Sequence, residues 1–235
     1  MRVLVTRPQH SGERTARRLR ELGHEPILLP LSQPVHDASA ALGGLNMTKG
    51  SIAITSAEAI RVLPTHAAEL AIHLARPVFA VGDATAEEAR AIGFTSVTAS
   101  GGSGTELAEM IANEAGGPVF YLAGSPRAES FEKRAHELGL QITVAECYRM
   151  EPTSIAQQTL EVIFTHQLPH AILLYSRQTA EIFFRTAGAQ MRSGRTDGIR
   201  LLCLSKAVAE VVPVSFQGAV SIASMPEESS LLSLL

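Results

Sequence analysis

The sequence predicts an α/β protein of two doubly wound, flavodoxin-like domains, each built on a five-stranded parallel sheet. Three observations carry this. Short apolar runs alternate with amphipathic helical patterns along the chain, the arrangement that buries a parallel sheet under helices on both faces. A block of three apolar runs at residues 51–107 recurs at 171–231. A block of two runs at 1–31 recurs at 119–148.

In the three-run block each run ends in a small or hydroxyl residue that opens a helical pattern. Ser56 matches Ser176, Gly82 matches Ser205, and Ser100 matches Ser224; the gaps are 26 and 18 residues in one copy, 29 and 19 in the other. Spacing kept this closely marks one structural unit used twice. The two-run block reads strand, loop, basic helix ending Glu-Leu-Gly, strand. Gly23 and Gly139 fit helix C-caps that turn the chain back.

In order, residues 2–6 form a buried strand that Pro8 ends. Ser11 is placed to cap a helix over 12–22, with Ala16, Leu19 and Leu22 on its apolar face. A strand at 26–30 follows, then an extended linker through Pro30 and Pro34. A helix at 38–45 leads to a strand at 51–55, a helix at 57–63 and helical residues at 66–74. Strand 78–81 leads into helix 84–92, and strand 96–99 into the loop SGGSG and helix 105–114. Strand 118–122, helix 127–138 and strand 141–147 complete the second two-run block. After a second linker and helix 155–166 come strands 171–175, 201–204 and 220–223 with their helices.

Ten strands are expected, five to a domain, and connection lengths assign them. The stretch 113–118 is a normal short loop within one domain, whereas 32–37 and 147–152 are long and Pro-containing. The expected division is therefore a discontinuous domain of 1–31 plus 153–235, an inserted domain of 38–146, and two inter-domain linkers. Two chain crossings make a hinge that bends but does not tumble freely.

Composition bounds the function. Hydrophobic content of 46% supports a full core. Aromatics are 5%, Trp is absent and the net charge is -3, which argues against a base-stacking or nucleic-acid surface. Cys147 and Cys203 stand outside any C-x-x-C pair and read as reduced, buried thiols. No apolar run reaches membrane length and no signal region precedes the first strand, so a cytoplasmic protein with no membrane partner is expected.

In open parallel sheets the ligand site lies at the carboxyl ends of the strands. That edge selects Arg7, Thr55, Ser56, Gly82, Ser100, Gly101, Ser103, Thr105, Ser176 and Ser205, with 123–125 and 224–229. Singly, such residues are ordinary helix caps. As a set, helix N-termini aimed into a cleft between two domains suit a ligand with several carboxylates or phosphates. Arg7 reads either as a partner for such a ligand or as an ion pair with a helix carboxylate. Tyr148, in the second linker, reads either as a hinge-packing aromatic or as a phenol able to donate a proton. The loop SGGSG is neither G-x-G-x-x-G nor a P-loop, the eight His lack metal spacing, and no G-x-S-x-G elbow occurs.

The ordered pieces VLVTRP at 3–8, ITSAEAI at 54–60, FAVGDATAEEARAIGF at 79–94, SGGSGTEL at 100–107 and YLAGSPRAESFEKRAHELG at 121–139 carry a resemblance. ECYRMEP at 146–152, LLYSRQTAEIF at 173–183, LCLSKAVAE at 202–210 and ASMPEESSLL at 223–232 continue it. Together they resemble the uroporphyrinogen-III synthase family over nearly the whole chain. Where the family has F-T-S after its apolar runs, this chain has I-T-S and L-Y-S, so Tyr175 stands in place of Thr.

The resemblance implies two doubly wound domains joined by a two-stranded linker. It implies a hydro-lyase of haem and tetrapyrrole biosynthesis, monomeric, with no metal or organic cofactor. The implied substrate is hydroxymethylbilane, a linear tetrapyrrole with eight carboxylates. It loses its terminal hydroxyl as water, ring D attacks the azafulvene through its substituted carbon, and a spiro intermediate opens and recloses with ring D inverted. Tyr148 matches the family's linker Tyr, implied to assist loss of hydroxide. Unassisted closure gives the type I isomer, so the task is chiefly orientation. From another class, a two-domain binding protein of the periplasmic-receptor type shares nested α/β domains and a hinge; a nucleotide-sugar transferase is a third reading.

Overall fold

The computed structural model describes residues 1–65, 68–193 and 198–235 of the chain. It divides into two compact units, one of Met1–Gln33 with Glu151–Leu235 and one of Pro34–Met150.

In the first unit β1 (Arg2–Val5) is followed by α1 (Gln9–Glu21) and β2 (Glu25–Leu28). The chain then enters β3 (Ser32–His36) and passes to the second unit. There, α2 (Ala38–Met47), β4 (Ser51–Ile54), α3 (Ala57–Arg61), α4 (Ala68–Ala71) and β5 (Val78–Val81) come in turn. Next are α5 (Gly82–Ala91), β6 (Val97–Ser100), α6 (Gly104–Glu114), β7 (Val119–Ser125) and α7 (Ser130–Glu137). The long β8 (Ile142–Pro152) returns the chain to the first unit. There α8 (Gln157–Glu161) runs on into a π-helical turn, Val162–His166. Then come β9 (Ala171–Leu174), α9 (Arg177–Ser193), β10 (Arg200–Cys203), α10 (Lys206–Ala209), β11 (Val220–Ile222) and α11 (Glu228–Leu232).

The first sheet has the order β11-β10-β9-β1-β2. Its strands are parallel, with Val3 opposite both Pro26 and Ala171. Alternating side chains divide between two apolar layers. Leu4, Ile172, Leu174 and Leu201 face a cluster completed by Phe183 and Ala187 of α9 and Val208 of α10. Val3, Val5, Leu173 and Leu202 face the opposite cluster, which holds Leu19 of α1 and Leu231 and Leu232 of α11.

The second sheet has the order β3-β8-β7-β4-β5-β6. Ile52, Ile54, Phe120 and Leu122 pack on Ala41 and Leu45 of α2 and Ile60 of α3. Ala53, Phe79, Tyr121 and Ala123 pack on Leu107 and Ile111 of α6 and Phe131 of α7. Strands covered on both faces are apolar throughout, hence the continuous runs in the sequence.

The structure corrects several expectations. Among the described residues there are eleven strands, and the second sheet has six rather than five. The extra one is β3, expected as an extended linker because of Pro34. It lies at the sheet edge, where a strand loses nothing by lacking one N–H donor. The other expected linker, 147–152, is the continuation of β8. Ser11 is not a cap: α1 starts at Gln9 with Pro8 at the N-cap position, so Ser11 lies inside the first turn. Asp37 caps α2 instead, accepting from the Ala40 N–H at 2.9 Å. The helix expected at 127–138 starts only at Ser130. Of the helix expected at 66–74, residues 66 and 67 lie outside the described residues and Ala68–Ala71 is helical. Gly23 and Gly139 do follow their helices with φ of 78° and 72°, the left-handed conformation of a C-terminal turn.

Candidate functional site

Parallel strands end together, so each unit gathers its strand-end residues along one edge. In the second unit Thr55 and Ser56 follow β4, Gly82 opens α5 after β5, and Ser100 ends β6. Thr55 Oγ1 and the Tyr121 hydroxyl share a hydrogen bond of 2.7 Å. Ser56 caps α3, its Oγ accepting from the Glu58 N–H at 3.2 Å, and also bonds the Tyr148 hydroxyl. Ser100 is buried, and its Oγ has no hydrogen-bond partner among the described residues.

The SGGSG loop is held by its own helix. Ser103 Oγ accepts from the Glu106 N–H at 3.2 Å, while Glu106 accepts from the Ser103 N–H at 3.0 Å, a reciprocal cap. Gly101 lies against the Glu106 carboxylate, and Thr105 stands in the first turn of α6. The Ser103 side chain is engaged in this cap, and the first turn of α6 offers its backbone N–H groups.

Tyr148 lies on β8 beside a pocket of about 190 Å³ lined by Val35, His36, Asp37, Glu146 and Arg149. Burial pushes its phenol above the ordinary value, so the hydroxyl stays protonated at neutral pH. Below it runs a chain of charges. His36 Nε2 meets Glu58 at 2.7 Å, Arg61 donates to Glu58 at 2.8 Å, and Arg61 donates to Glu88 at 2.6 Å.

In the first unit Arg7 follows β1, Tyr175 and Ser176 follow β9, and Ser205 follows β10. Ser176 caps α9, accepting from the Thr179 N–H at 3.1 Å. Ser205 takes the N-cap position of α10 without a side-chain cap bond. Arg7 donates to Glu228 at 2.8 Å, and its guanidinium lies 4.4 Å from the centre of the Tyr175 ring. Of the two readings of Arg7, the structure realises the ion pair with a helix carboxylate. The Tyr175 hydroxyl donates to that same carboxylate at 2.8 Å.

The helices behind the expected donors differ in strength. Those opened by Gly82, Ser103 and Ser176 have 10, 11 and 17 residues. Those opened by Ser56 and Ser205 have only 5 and 4, too short for much of a dipole. No group of three or more His, Cys, Asp or Glu placed to hold a metal ion occurs among the described residues. No helix among them is long and apolar enough to cross a membrane. Sequence reasoning selected Glu228 only as part of 224–229 and missed Thr15, Glu58 and Arg61. Glu58 and Arg61 stand three apart on α3, but the contacts of Thr15 with Glu228 and of Arg61 with Glu88 are set by tertiary packing.

The family described as Uroporphyrinogen-III synthase HemD matches over residues 13–233. The chain belongs to the uroporphyrinogen-III synthase family. A solved uroporphyrinogen-III synthetase from Helicobacter pylori is 16% identical, with a TM-score of 0.66, covering 100% of this chain and 98% of its own. A mutant uroporphyrinogen III synthase from Thermus thermophilus is 14% identical, with a TM-score of 0.54, covering 99% and 96%. At these identities the likeness to the uroporphyrinogen-III synthases of known structure is one of fold. No curated protein matches the sequence.

Proposed function

We infer that the protein is a uroporphyrinogen-III synthase, an enzyme of tetrapyrrole and haem biosynthesis. The single observation that carries this is the family match over residues 13–233. The substrate is hydroxymethylbilane. Its terminal hydroxyl leaves as water, ring D closes through a spiro intermediate, and the product is the ring-D-inverted type III isomer.

The site chemistry supports this reading. Spontaneous closure needs no strong acid or base, so the protein's contribution is to hold a polycarboxylate in a folded pose. Backbone N–H groups opening α5, α6 and α9, near Gly82, Ser100 to Thr105 and Ser176, are donors for carboxylates. They act without the large positive charge that this chain lacks, its net charge being -3. Thr55, Ser56 and Ser205 add hydroxyls along the same strand ends. Tyr148 supplies the remaining need: a neutral, protonated donor for the departing hydroxyl.

The test is to feed the protein bilane made in situ by a deaminase and to separate the isomers. Type III product above the spontaneous type I background is expected. Type I product alone would reject the reading.

A further inference from the structure

Strands β7 and β8 fall out of step at one place. Their register advances residue for residue up to Ala123 opposite Glu146, and the next pair is Gly124 opposite Tyr148. Cys147 is thus the extra residue of a bulge. In a regular strand, neighbouring side chains take opposite faces, and Cys147 and Tyr148 would part. The bulge resets the alternation. Both residues pack on the cluster of Ile54 and Leu122, while the Cys147 thiol donates to the Ala123 carbonyl at 3.3 Å.

The re-aimed ring needs room, and Gly124 gives it. A Cβ at position 124 would collide with Cζ and the hydroxyl of Tyr148 and lie 2.6 Å from Cε1. The glycine is therefore a notch into which the phenol end of the ring fits. On the far side the hydroxyl meets Ser56.

We propose that Gly124 is a positioning residue of this enzyme: with the bulge at Cys147 it forms the seat that fixes the Tyr148 hydroxyl beside Ser56. This rests on the reading of Tyr148 as the proton donor. The atoms a methyl would strike are the far end of a side chain. Gly124→Ala should therefore be absorbed by the ring swinging off its seat, with the strands left in place.

The experiment compares Gly124→Ala, Tyr148→Phe and the double variant for turnover, KM and phenol titration by ultraviolet difference. The chain has three Tyr, and the signal absent from Tyr148→Phe is that of Tyr148. We expect Gly124→Ala to lower turnover as far as Tyr148→Phe does, ~10²-fold, with KM little changed. The double variant should lose nothing more. The Tyr148 phenol, held above its ordinary value of 10.0 by burial, should titrate lower in Gly124→Ala. An unmoved titration would overturn the seat. So would a moved titration with wild-type turnover, if Tyr148→Phe is itself slow. If Tyr148→Phe turns over like wild type, the proton-donor reading fails, and the titration alone then decides whether the seat exists. Gly124→Ala should also be silent in a Tyr148→Leu background, where no ring needs the notch. Unfolding there would show that the glycine serves the backbone and overturn the proposal.

Discussion

The Tyr175 hydroxyl donates to Oε1 of Glu228 at 2.8 Å, across 53 positions of sequence. The same carboxylate receives Thr15 Oγ1 at 2.6 Å, Arg7 Nη1 at 2.8 Å and Arg18 Nη1 at 2.8 Å. Burial alone would raise the Glu228 carboxyl. The four donors outweigh it and hold the carboxyl below its ordinary 4.5. One carboxylate thus ties α1, the end of β1 and the end of β9 to the start of α11.

Glu228→Gln should destabilise the protein by about 1–3 kcal/mol at neutral pH, since an amide cannot satisfy all those donors. The sign of the pH dependence follows from the lowered folded value. The stabilisation by Glu228 is fully present above the unfolded value near 4.5 and is lost as pH falls through the folded value. Denaturant melts of both proteins from pH 7 down to pH 3 should converge at the acid end. A gap that stays constant would show that the carboxylate charge is not what the donors hold.

Tyr148→Phe keeps the ring in its place and removes only the donor. Turnover should fall toward the low end of the ~10²–10⁴-fold range of a general acid, since the azafulvene also forms unaided. The melting temperature should not move, and the remaining product should still be type III, because orientation comes from the carboxylate donors. Wild-type turnover would leave Tyr148 a packing residue. A switch to type I product would show that it positions ring D.

Replacing the hydroxyls of Ser56, Ser100, Ser176 and Ser205 by Ala one at a time should cost roughly 1 kcal/mol each in substrate binding, read as KM, because the backbone donors remain. Abolition of turnover by any one of them in a folded protein would point to a nucleophile and refute distributed binding.

The positions of strands were legible because both sheets are buried on two faces. Ile52 to Ile54 and Ala171 to Leu174 read as unbroken apolar runs, and the structure makes them strands. β3 was not legible, since SQPVH has a Pro and little apolar content, and only its place at the sheet edge makes that tolerable. The bulge at Cys147 hid the true length of β8, because it breaks the alternation that identifies a strand. Strand-end hydroxyls were visible as small residues before helical patterns. The caps made by Ser56, Ser103 and Ser176 were legible with them. Which carboxylate Arg7 pairs with was not, since Arg7 and Glu228 are 221 positions apart and no periodicity links them. Gly124 read only as one of the strand-end residues 123–125, whereas the ring that it admits is not visible in the sequence.

The two cysteines have a practical consequence. Cys147 belongs to the second unit and Cys203 to the first, both are free, and neither side chain reaches solvent. Burial pushes their thiols up to about 12 and about 11, so almost no thiolate exists at neutral pH. An alkylating reagent can react only while the surrounding structure is open. Each unit thus carries its own clock, and the rates of labelling at the two positions time their openings separately within one unmodified chain.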